Sequence, residues 1–63
     1  MTIQQARRLK PGQELMYDND PSDYGVVLGI LRSGVSIHFD GDIPVTAIIL
    51  WKDVEHIQVW QPS

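Results

Sequence analysis

The stretch Thr46 to Trp60, TAIILWKDVEHIQVW, limits what this chain can fold into more than any other part of it. Its two apolar runs are rich in the β-branched and aromatic types that fit a pleated surface. The interruption between them, Lys52-Asp53-Val54-Glu55, is too short for a stable helix, because the costly first turn is never followed by propagation. The stretch therefore predicts strand, one helical turn, strand. A chain of 63 residues has room for one domain, and a domain of that size buries only about 60% of the surface its unfolded form exposes. With no cysteine there is no disulfide framework, and no metal-ligand cluster replaces it, so packing or oligomerisation has to supply stability.

Upstream, the same alternation of runs and breakers gives three more strands. Thr2 followed by Gln5 fits a capping box, so Thr2 to Arg8 predicts a short helix with Ile3, Ala6 and Leu9 at helical spacing. Pro11-Gly12 ends it and turns the chain into a first strand, Gln13 to Tyr17. Asp18 to Asp23, DNDPSD, has no apolar residue and reads as a surface loop. The second strand is Tyr24 to Leu31, with Val26, Leu28 and Ile30 on one side and Val27, Gly29 and Leu31 on the other. Arg32-Ser33-Gly34 makes a hairpin into a third strand, whose Val35, Ile37 and Phe39 point inward while Ser36, His38 and Asp40 point outward. Pro44 can only precede the fourth strand, Val45 to Trp51. The fifth, His56 to Trp60, places Ile57 and Val59 inward.

Five short strands with one helical turn before the last predict a small all-β domain over residues 1–63, a strongly bent antiparallel barrel with residues 1–10 as a basic extension or short helix. The alternatives are a five-stranded open sheet or a swapped dimer, because a two-faced apolar strand specifies its register poorly. Strands two and four are apolar on both faces. Either a curved strand with Gly29 at its bend serves two halves of a barrel, or one face meets another chain, self-association included.

Charge narrows the partners. Residues 1–10 carry Arg7, Arg8 and Lys10 and no acid, while the remainder sets eight acids against Arg32 and Lys52, a net of −6 within an overall −3. Non-specific nucleic-acid affinity comes mainly from Lys and Arg neutralising phosphates, so the body of the domain should repel such ligands and only the N-terminal segment could attract them. MTIQQARRLK has charge but no apolar run behind it, so neither a leader nor a membrane anchor is expected, and the expected setting is the cytoplasm.

The phrases GQELMYDNDPSDYGVVLGIL, VSIHFDGD and AIILWKDVEHI together resemble the Tudor domains of the SH3-like barrel superfamily, and the closing LWKD is similar to that of polycomb-like Tudor domains. The resemblance implies a non-catalytic binding module without a cofactor, which holds a cationic side chain of a protein or peptide among aromatic rings at one barrel end. Carried onto this sequence, the ring positions are Tyr17, Tyr24 and Phe39, and the fourth falls near Ala47, which has no ring. Asp18, Asp20, Asp23, Asp40 and Asp42 flank them in sequence as an acidic lip that favours a cation. Trp51 and Trp60 are candidate partner anchors, since tryptophan often carries binding energy, although Trp51 suits the core equally well.

Other chemistries fit less well. DNDPSD presents Asp at alternate positions but lacks the central glycine and distal glutamate of an EF-hand loop, and His38 and His56 have no ligand-spaced partner, so no metal site is expected. A nucleic-acid-associated barrel would have to use the basic N-terminus. Type II dihydrofolate reductases are also short barrels with a similar closing rhythm, but the glutamine and tyrosine of their tetrameric pore have no counterpart at Ala47-Ile48-Ile49.

Overall fold

The computed structural model describes residues 1–41 and 43–60. In chain order it contains α1 (Ile3–Arg7), β1 (Glu14–Tyr17), β2 (Asp20–Ile30), β3 (Gly34–Phe39), β4 (Val45–Leu50), a 3-10 helix η1 (Trp51–His56) and β5 (Ile57–Val59). The strands form one antiparallel sheet in the order β4-β3-β2-β1-β5. β4 and β5 are its two edges and do not pair with each other. Among the described residues no helix is long and apolar enough to cross a membrane.

α1 forms where the capping residues place it. The Thr2 hydroxyl accepts the Gln5 N–H at 3.1 Å and the Gln5 side-chain oxygen accepts the Thr2 N–H at 2.9 Å, which satisfies two otherwise orphaned donors. Five residues of helix are marginal alone. Packing holds this one: Ala6 is fully buried, and the Met1 nitrogen donates to the carbonyls of Val54 and Ile57 at 3.1 and 2.7 Å, tying the segment to η1 and β5.

The segment between the first two strands is shorter than the sequence suggests. Asp18 and Asn19 both adopt positive φ, 52° and 59°, and Tyr17 lies opposite Asp20. That is a two-residue hairpin turn of the kind whose twist matches its strands, and Asp and Asn are among the side chains that tolerate it. β2 therefore starts at Asp20, not at Tyr24. Between the pairs Met16–Tyr24 and Tyr17–Asp20 the register shifts, leaving Pro21, Ser22 and Asp23 as extra residues in the hairpin. Pro21 has no ladder hydrogen bond to lose there.

A second irregularity, between Val27 and Gly29, changes the sidedness of β2. Residues directly opposite each other share a face. Val27 pairs with Ile37 on the buried face, but beyond the bulge Ile30 pairs with Val35 on that same face, while Gly29 pairs with Ser36 on the outer one. Ile30 thus does not share the face of Val26, as strict alternation would have it. The extra residue accounts for part of the two-sided apolar pattern.

The core comprises Ala6, Leu15, Val27, Val35, Ile37, Val54 and Ile57. Each fully buried Leu, Ile or Val contributes roughly 1.5–3 kcal/mol relative to exposure. β3 alternates as expected, with Val35 and Ile37 fully buried and Phe39 half-buried. Val59 shares the face of Leu15 but remains exposed, because β5 is an edge strand with little beyond it. The turn before β5 is a six-residue 3-10 helix whose Val54 is buried.

Candidate functional site

At one end of the sheet the ends of β1 and β3 and the start of β4 enclose a cleft of about 390 Å³. Tyr17, Phe39, Val45 and Ile49 form its apolar walls, with Ile43 at the mouth. Ser22, Asp23 and Tyr24 border it from the bulged start of β2. Register explains the assembly: Tyr17 pairs with the buried Ile57, Phe39 with Gly25 and Val45, and Ile49 with the buried Val35, so all four walls belong to the core face. Gly25 is required there. A Cβ on it would come within 2.7 Å of the Ile37 side chain and 3.0 Å of the Phe39 ring.

All three expected aromatic residues line the cleft, but their rings do not converge. Tyr17 ends β1 on the core face and stacks on His56, centroids 5.6 Å apart and planes 28° from parallel. Tyr24 pairs with Met16 on the outer face, where its ring meets Trp60 edge-on at 5.3 Å. Its phenol is shifted above the ordinary tyrosine value, first by partial desolvation and then by the Glu14 carboxylate, as acceptor and as charge, and by Asp40. The walls nearest the fourth ring position are Val45 and Ile49, which flank Ala47 on the same face of β4.

The acids are dispersed in their engagements. Asp23 lines the cleft. Asp18 bonds His56 Nδ1 at 2.9 Å, and Asp40 lies 3.3 Å from His38 Nε2. Asp20 accepts from the Ser22 N–H at 2.9 Å and its hydroxyl at 2.7 Å, and those bonds, the hydroxyl's first, lower its carboxyl below the usual range. Asp42 lies outside the described residues. No group of three or more His, Asp or Glu that could hold a metal occurs among the described residues.

Trp51 and Trp60 take different roles. The Trp51 indole N–H donates to the Arg32 carbonyl at 2.9 Å, its ring packs against the core, and the Arg7 guanidinium lies 5.4 Å from the ring centroid. One of the three basic N-terminal side chains is thereby drawn onto the domain. Trp60 stays half-buried against Tyr24.

His56 is the site residue that sequence reasoning passes over. It is half-buried and links three elements. Its ring stacks on Tyr17, its Nδ1 meets Asp18, its Nε2 lies 3.6 Å from Glu55, and its carbonyl accepts the Asp18 N–H at 2.6 Å. No signal in the segment itself marks it: His56 ends the 3-10 helix and reaches Tyr17 and Asp18 because β1 pairs with β5. Compared with protein-family models, curated proteins and solved structures, the chain finds no match in any of the three.

Proposed function

We propose that this protein is an SH3-like, Tudor-like domain that acts as a non-catalytic binding module and engages a protein or peptide at the cleft of Tyr17, Phe39, Val45 and Ile49. The strand order β4-β3-β2-β1-β5 and the 3-10 helix before the last strand support the fold assignment. The observation that carries the function is the cleft itself: an open apolar site with two aromatic walls and one carboxylate, Asp23, at its border. Such a site takes one protruding side chain with a long apolar body, and the carboxylate and the ring faces favour a cationic tip, each ring contributing roughly 0.5–2 kcal/mol.

Titration with peptides carrying methylated lysine, arginine or leucine tests this by amide chemical shifts. Binding of any of them should move signals of Tyr17, Ser22 to Tyr24, Phe39, Gly41, Val45 and Ile49. The Phe39→Ala exchange should then weaken binding roughly tenfold, equivalent to about 1.4 kcal/mol. Preference for the charged peptides over leucine supports the cationic reading, and no shift with any peptide refutes the module.

A further inference from the structure

The two edges of the sheet are finished differently. β5 is three residues long, and the Met1 nitrogen sits on the Ile57 carbonyl beside it, while the Gln58 side chain accepts the Asn19 N–H at 2.7 Å. β4 is twice as long, and every strand pair it makes is with β3. Among the described residues, no backbone group of Val45–Ile49 has a hydrogen bond outside that ladder. Protein edges are usually guarded by a charge, a short strand or a cover. Among the described residues β4 has none of these: from Ile43 to Trp51 the chain carries no charged residue, and Pro44 lies before the strand instead of within it. Ile43 is 78% exposed and Ile48 is 51% exposed.

We propose that β4 pairs edge to edge with β4 of a second copy, antiparallel about a two-fold axis, so that two five-stranded sheets become one. Charge favours this occupant. Each copy is −3 overall with its acids spread along β1, β2, η1 and the turns, so most approaches set like charges together. Along β4 none oppose. The strand is also self-complementary. Opposite residues of an antiparallel pair share a face, so an axis through Ala47 sets Val45 of one copy against Ile49 of the other on the cleft side, and Thr46 against Ile48 on the outer side. Both pairs join β-branched residues, a favourable cross-strand combination. Because Val45 and Ile49 line the cleft, pairing would bring the two clefts together along one apolar seam.

Sedimentation equilibrium across a concentration series tests the proposal. The natural chain should reach twice the monomer mass with rising concentration. The exchanges Thr46→Lys and Ile48→Lys, both at exposed positions, set like charges near the axis and should raise the dimer dissociation constant at least tenfold. Ile3→Lys, at an exposed position of α1, which packs on η1 and is not part of the sheet, should leave it unchanged. Circular dichroism checks that each variant is folded; should one lysine variant unfold, the other serves. A chain that stays monomeric up to about 1 mM, a range that excludes any dimer tighter than that, overturns the proposal. So does a dimer that survives both lysine variants. Peptide binding at the cleft by a strictly monomeric chain would overturn only the pairing, leaving the binding reading in place.

Discussion

Replacing Gly34 by alanine tests the packing of β3 on β4 directly. Gly34 is buried at the start of β3, opposite Leu50. A Cβ there would come 2.8 Å from the Ile49 carbonyl carbon and 2.9 Å from the Leu50 Cα. The Ile49 carbonyl oxygen would be nearer still, and since carbon atoms prefer about 3.5–4.0 Å, the strands would have to part by at least roughly 0.7 Å. Backbone cannot rotate away as a side chain can. Overpacking of this kind costs about 1–3 kcal/mol, and the obstruction puts Gly34 at the upper end. Alanine also restricts the unfolded chain, which returns about 0.4–1 kcal/mol. The net expectation is a loss of about 2 kcal/mol. A chain of 63 residues has only about 3–9 kcal/mol to lose. Gly29 provides the control, because a Cβ at that position meets nothing within 4 Å and its backbone has no positive φ. Gly29→Ala should therefore stabilise by about 0.4–1 kcal/mol. Urea unfolding followed by tryptophan fluorescence reads both, since Trp51 packs against the core. With a slope near 1 kcal/mol/M, the two midpoints should differ by about 2–3 M. Equal midpoints, or a Gly34→Ala variant within about 0.5 kcal/mol of the natural chain, would refute the claim that the β3–β4 approach demands glycine.

Thr2→Ala removes the cap hydroxyl and should cost about 1 kcal/mol in the same urea assay, with Thr2→Ser restoring most of it. Ile37→Ala empties the centre of the core and should cost about 2–5 kcal/mol, enough to leave much of the chain unfolded at 25 °C. The raised phenol of Tyr24 fixes the sign of an alkaline effect: its contribution is complete below the ordinary tyrosine value and is lost as pH rises through the folded one, so the window opens above about pH 10. Ultraviolet titration of tyrosinate should show one of the two tyrosines ionising late, and Glu14→Gln should bring it earlier. Late ionisation unaffected by that exchange would exclude Glu14 as a cause.

What the sequence determined by itself is the set of elements. The capping box at Thr2 and Gln5, the alternation of β3 and the strand–turn–strand of Thr46 to Trp60 are local patterns, and neighbouring residues suffice to impose them. Part of the cleft was legible too, because Tyr17 and Phe39 stand at strand ends that a five-stranded antiparallel order brings to one place, with Tyr24 beside them within β2. The tertiary structure decided which way those side chains turn. The bulge between Val27 and Gly29, where Gly29 suggests only a bend, returns Ile30 to the side of Val35, whereas Tyr24 alternates regularly with the buried Gly25 and Val27 and so meets Trp60 on the outer face. A bulge that adds one residue reverses alternation beyond it, and only the pairing of distant strands reveals where that happens. The same holds for His56. Its meeting with Tyr17 and Asp18 joins positions 38 and 39 residues apart in the chain, and their proximity comes from β1 pairing with β5, not from any property of the segment that contains it.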